Sequence, residues 1–123
     1  MAFVSRNGED LKPRTKQFAM HILRFYRALP AGEEARIVGK QLLRSGTSIG
    51  ANYRAACRAR SKAEFVAKLG IVLEESDETV FWLELLRDTG IVGSDKVDAL
   101  LDEANELTSI FVTSICTAKG IAS

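Results

Sequence analysis

From Phe65 to Leu86 the seam residues fall at Phe65, Leu69, Val72, Ser76, Thr79, Leu83 and Leu86, a four-three alternation without a break. An α-helix, with 3.6 residues per turn, collects all of them on one stripe, broadened here by Leu73 and Val80. A stripe of that length has to be buried against other helices, so the rest of the chain is read as the material that covers it. Ser61-Lys62-Ala63-Glu64 has the pattern of a capping box and starts this helix, which runs to about Thr89 before Gly90 supplies the C-cap. At 1.5 Å per residue it is about 40 Å long.

The covering helices follow from the same periodicity. Pro13 suits a helix's first turn, and Phe18, Ile22, Phe25 and Leu29 form a seam that Pro30-Ala31-Gly32 terminates. A second helix begins near Glu33-Glu34 and carries Val38, Leu42, Ile49, Tyr53 and Ala56 on one side. Gly39, Gly46 and Gly50 each cost this helix roughly 1 kcal/mol of propensity, so close approach by a neighbouring helix has to compensate. A break near Gly46 is the alternative. After Gly93, with Ser94 expected as N-cap, a fourth helix carries Val97, Leu101, Ala104, Leu107, Phe111 and Ile115 and frays near Gly120. Loops this short lay each helix antiparallel to its predecessor. The expected fold is all-α, an antiparallel up-down-up-down four-helix bundle over residues 13–119, with a flexible N-terminal arm at 1–12 and a frayed C-terminus at 120–123.

The 123 residues make one domain, and no run of about 18 apolar residues is present to span a bilayer. Residues 1–10 lack the apolar core and cleavage site of a secretory signal, which favours the cytoplasm. Cys57 and Cys116 have no metal-ligand spacing and read as small buried apolar residues.

Charge is divided along the chain. Residues 1–62 hold 13 Lys/Arg against 4 Asp/Glu, and residues 63–123 hold 4 against 12, although the net charge is only +1. On the second helix Arg36, Lys40, Arg44, Arg54 and Arg58 project within about 80° of one another. Such a stripe fits the phosphates of RNA or DNA. Its competing fate is neutralisation by Glu74, Glu75, Glu78 and Glu84 of the third helix. That helix also carries a second apolar stripe, Ile71, Trp82 and Leu85 with Phe81 beyond them, on a side away from the seam. Together with Glu75 and Glu78 this side is read as a homo-oligomer interface, since interfaces combine aromatic anchors with a polar rim. Alternatively Trp82 caps a bundle end or lies under the N-terminal arm.

The residues Leu43 to Tyr53, Ser61, Phe65, Leu69, Glu74-Glu75, Glu78-Thr79 and Trp82 to Leu86 resemble the bacterial four-helix bundle family known from intervening sequences in 23S ribosomal RNA genes. The resemblance implies a small cytoplasmic protein of undefined activity whose antiparallel bundle assembles as a ring, commonly a pentamer. The chain is also similar to the accessory variability determinant of diversity-generating retroelements. That relative is a basic pentameric barrel that binds nucleic acid and a reverse transcriptase, whereas the charge here is close to neutral.

No constellation points to a cofactor. A di-metal bundle needs two Glu-x-x-His motifs, and the only histidine is His21. Arg14 and His21, with six residues between them, match the arginine–histidine spacing of a family of helical-bundle ribonucleases, which implies metal-independent phosphodiester cleavage by general acid/base chemistry. The alternative is a structural His21 partly buried beside Phe18 and Phe25. Asn52 lies near the glycine groove, where an unpaired amide costs about 1–3 kcal/mol, so it is expected to fix the register of the second helix with Glu75 or Glu78 as acceptor. The sequence therefore supports a non-catalytic oligomeric scaffold with a basic face, set against a protein-only interaction module and a ribonuclease.

Overall fold

All seven residues of the Phe65–Leu86 seam are buried, and they are the whole of the buried set on that helix. The computed structural model describes the backbone of residues 6–120 and the side chains of residues 11–120. Within them lie α1 (Arg6–Arg27), α2 (Glu33–Cys57), α3 (Lys62–Asp88) and α4 (Ser94–Lys119), with no strand among the described residues. Short turns lay consecutive helices antiparallel in an up-down-up-down bundle. α2 packs extensively on both α1 and α3, α3 packs on α4, and α1 meets α4 only lightly.

The helix limits follow local chemistry. Glu64 N–H donates to Ser61 Oγ at 3.0 Å, which caps α3. At its other end Gly90 adopts φ +77°, and Val92 N–H reaches back to the Leu86 carbonyl at 3.2 Å. α4 starts one residue earlier than a Ser94 N-cap requires: Gly93 takes the cap position, and no side chain caps the helix. The larger difference is at α1. It begins at Arg6 and carries Pro13 inside it, so residues 6–12, expected in a flexible arm, are helical. The extension is anchored because Leu11 and Thr15 are buried in the bundle, which offsets the backbone hydrogen bond that Pro13 cannot donate. Residues 1–5 and 121–123, where the rest of the expected arm and tail fall, lie outside the described residues.

α2 is unbroken through its glycines, and α1 is the helix that uses them. A Cβ on Gly46 would lie 2.9 Å from Cγ1 and Cγ2 of Ile22, and one on Gly50 would lie 3.3 Å from the Thr15 carbonyl oxygen. Across the other side of α2 a polar layer crosses the core. The hydroxyls of Thr79 and Ser45 are hydrogen-bonded at 3.0 Å, and Ser76 pairs with Thr108 of α4. Every buried side-chain polar atom among the described residues has a partner, so this layer sets register between α2, α3 and α4 without an unmet desolvation cost. Cys57 is buried as expected, while Cys116, nearer the end of α4, is only half-buried.

Candidate functional site

Gly50 allows α1 and α2 to approach so closely that the surface between them is a groove with almost no side chains on its floor. Ala19, Thr47, Gly50 and Ala51 form that floor, in a depression of about 220 Å³ that Lys12, Lys16 and Arg54 also line. A second depression, of about 450 Å³, continues from it and is lined by Lys12, Pro13, Lys16, Arg54 and Arg58. Lys12 and Lys16 are one turn apart on α1, and Arg54 lies four residues before Arg58, the C-cap of α2. The antiparallel packing sets the two pairs on opposite walls. Among the described residues no carboxylate lines either depression. Lys16, Arg54 and Arg58 are exposed, and neither arginine forms an ion pair among the described residues. The topology also brings the α2/α3 turn to this end, where Lys62 is exposed and Arg60 lies 3.8 Å from the Glu64 carboxylate of α3.

The remainder of the expected α2 stripe has a different fate. Arg44 reaches across to α3, where it pairs with Glu75 at 3.1 Å and with Glu78. Its hydrogen bond holds the Glu78 carboxyl below the ordinary glutamate range, opposed by partial burial and helped by the Trp82 indole N–H, which donates to the same carboxylate at 3.2 Å. Arg36 lies 4.0 Å from Glu33 on its own helix, and Lys40 is exposed. The five cations therefore do not act as one stripe. Arg44 is neutralised, Arg36 and Lys40 lie toward the far end, and only Arg54 and Arg58 join the groove.

On α3 the second apolar stripe stands clear of the core. Phe81 is 54% exposed and Ile71 43%, and Ile37 on α2 is 51% exposed. Trp82 and Leu85 are half-buried. Trp82 packs partly on the core and meets the Phe81 ring edge-to-face, with centroids 5.0 Å apart. Glu75 and Glu78 border this side through their bonds to Arg44.

Two polar expectations are corrected. The Asn52 amide donates to the Ser48 carbonyl of its own helix at 2.9 Å rather than to Glu75 or Glu78, because the carbonyl four residues back lies within reach of a short polar side chain; those two carboxylates pair with Arg44. His21 is exposed and shares a 3.1 Å hydrogen bond with Gln17, instead of being tucked beside Phe18 and Phe25. The thin contact between α1 and α4 leaves that flank open to water. Arg14 is held across the same seam by a bidentate pair with Glu103 at 2.7 and 2.8 Å and by Glu106 at 3.0 Å, which raises its already high pKa.

Comparison with known proteins agrees with this bundle. The family model described as 23S rRNA-intervening sequence protein matches residues 10–113. The chain belongs to that family. No curated protein matches it. A crystal structure described as a protein with unknown function from the S23 ribosomal protein family of Bacteroides thetaiotaomicron superposes with a TM-score of 0.79. It is 38% identical in sequence, over 85% of this chain and 96% of that one. The segment matched to the 23S rRNA-intervening sequence family contains both walls of the basic groove and the whole Phe81–Trp82 face.

Lys12 and Lys16 are the residues of this family member that sequence reasoning missed. Projection of one helix cannot show a groove made by two, and a helix expected to start at Pro13 leaves Lys12 in an arm. The available signal was the spacing itself: Lys12 and Lys16 sit four apart beside a seam that continues back through Thr15 and Leu11.

Proposed function

We propose that this chain is a cytoplasmic, non-catalytic, homo-oligomeric scaffold that binds RNA through the α1/α2 groove. The observation that carries the reading is the groove's composition: Lys16, Arg54 and Arg58, together with Lys12, surround a small-residue floor, with no carboxylate in its lining among the described residues. Phosphates approach such a surface closely, and each one neutralised releases condensed counterions. RNA is preferred over other polyanions because the family is described by a 23S rRNA intervening sequence. Oligomerisation through the Ile71, Phe81, Trp82 and Leu85 face repeats the groove in each subunit, so individually weak contacts add. The ring of five is what the resemblance implies. Cleavage is not part of the reading, because Arg14 is committed to two carboxylates and His21 hydrogen-bonds to Gln17.

The test is a salt titration of binding to structured RNA, comparing wild type with Lys16→Ala, Arg54→Ala and Arg36→Ala. Each groove substitution is expected to weaken binding and to reduce the log–log salt slope by about one unit, while Arg36→Ala leaves both unchanged. Absence of binding near 50 mM salt, a condition that favours phosphate contacts, overturns the proposal. Loss of RNA on incubation, abolished by His21→Ala, would establish the ribonuclease instead.

A further inference from the structure

Resting on the RNA reading, we infer that the groove takes the phosphate backbone of double-stranded RNA and does so without regard to base sequence. The argument begins with what the lining lacks. Among the described residues the lining is Lys12, Pro13, Lys16, Ala19, Thr47, Gly50, Ala51, Arg54 and Arg58, which include no aromatic side chain, and Tyr53, the nearest aromatic on α2, is 2% exposed. Proteins that hold single strands combine a basic channel with aromatic faces on which unstacked bases rest. Here there is a basic channel and no platform, so a single strand would be gripped by its phosphates alone while losing the conformational freedom of its flexible chain. A duplex carries the same phosphates on a frame that is already ordered.

The lining also lacks readers of sequence. Among the described residues it contains no Asn, Gln, Asp or Glu to pair with base edges. The Thr47 hydroxyl bonds to the Leu43 carbonyl at 2.7 Å, and the arginines meet an RNA helix whose narrow major groove hides its bases. What remains is the pairing of cations with phosphates. Lys12 with Lys16, and Arg54 with Arg58, each span about 6 Å along their helices, giving two opposed rows rather than one point charge. At the same end of the bundle Lys62 is exposed and adds a cation outside the groove, whereas Arg60 is paired with Glu64 at 3.8 Å. The aromatic residues exposed elsewhere, Phe81 and the edge of Trp82, belong to α3 and do not line the groove.

The experiment measures fluorescence anisotropy of the full chain with a blunt RNA duplex, with each of its separated strands, and with a duplex of shuffled sequence. All are of equal length and are titrated at fixed low salt. The expected result is that the duplex binds at least tenfold more tightly than either strand, that the shuffled duplex binds equally well, and that Lys16→Ala/Arg54→Ala weakens duplex binding at least tenfold with the helical circular dichroism unchanged. Equal affinity for duplex and single strand overturns the duplex inference while leaving RNA binding in place. A strong preference between the two duplex sequences overturns the claim of sequence independence. If no RNA binds and the double variant instead lowers the mass of the assembly, the groove receives the acidic α3/α4 side of a second copy, and both this inference and the RNA reading fail.

Discussion

Ile22 of α1 lies directly over Gly46 of α2, so close that a Cβ at Gly46 would be 2.9 Å from both of its γ-carbons. Ile22 is fully buried and branched at Cβ, so it has little freedom to withdraw. Gly46→Ala gains about 1 kcal/mol of helix propensity, yet overpacking costs typically 1–3 kcal/mol, so the net effect is expected to be destabilising. Ile22→Ala removes both of those γ-carbons, so Ile22→Ala/Gly46→Ala should lose less stability than the sum of the two single losses, because the two changes share one contact. Thermal denaturation of the four members of that cycle checks this, and a Gly46→Ala protein more stable than wild type would show that the approach is looser than described.

The Thr79–Ser45 hydroxyl pair gives the second prediction. Both residues are fully buried, and Thr79 also bonds to the Glu75 carbonyl at 2.8 Å. Thr79→Val keeps the shape and removes the hydroxyl, leaving Ser45 with only the Leu42 carbonyl at 3.3 Å. A loss of about 1 kcal/mol is expected in urea unfolding, with the m-value unchanged.

Why the core was legible and the groove was not can be seen in these same helices. The α3 seam was readable because period alone determines which side of a long helix is buried, and Ser76 and Thr79 entered the core where the alternation placed them. Arg44, Asn52 and His21 were not readable to the same degree. Their surroundings depend on what reaches each flank: α3 supplies Glu75 and Glu78 to Arg44, Asn52 finds its acceptor on its own helix at Ser48, and α4 leaves His21 in water. The groove depends on two helices at once. It became visible only when α1 was seen to extend through Lys12 and to pack on Gly50.

Glu78 supplies the third prediction, in pH. Its folded pKa is depressed chiefly by the Arg44 hydrogen bond, so its contribution to stability is fully present above the unfolded glutamate pKa of about 4.3 and is lost as pH falls through the lower folded value. Glu78→Gln keeps an acceptor for the Trp82 indole but discards the charge. Wild type should exceed this variant in urea midpoint at neutral pH, and the gap should close on acidification below the ordinary glutamate range. A gap that stays constant with pH would assign the effect to packing.

Assembly is the last prediction, and it turns on Phe81 rather than on the more obvious tryptophan. Trp82 packs partly on the core and bonds to Glu78, so Trp82→Ala is expected to weaken folding and assembly together. Phe81 is 54% exposed, and the Trp82 ring edge is the contact that ties it to the bundle. Phe81→Lys therefore leaves the fold intact while placing a charge at the edge of the apolar face that carries Ile71, Trp82 and Leu85. Apolar patches of this kind on an isolated bundle mark surfaces that are covered in use, and an aromatic anchor in such a patch typically contributes more than about 1 kcal/mol per interface. Light scattering coupled to gel filtration should report a homo-oligomer for wild type, with five copies as the number the resemblance implies. Phe81→Lys should shift it toward monomer with unchanged helical content, and RNA affinity should fall with it, since a monomer offers one groove where the ring repeats it. A wild-type protein that is monomeric at micromolar concentration overturns the oligomer. A Phe81→Lys protein that keeps both its mass and its RNA affinity moves the interface to another face.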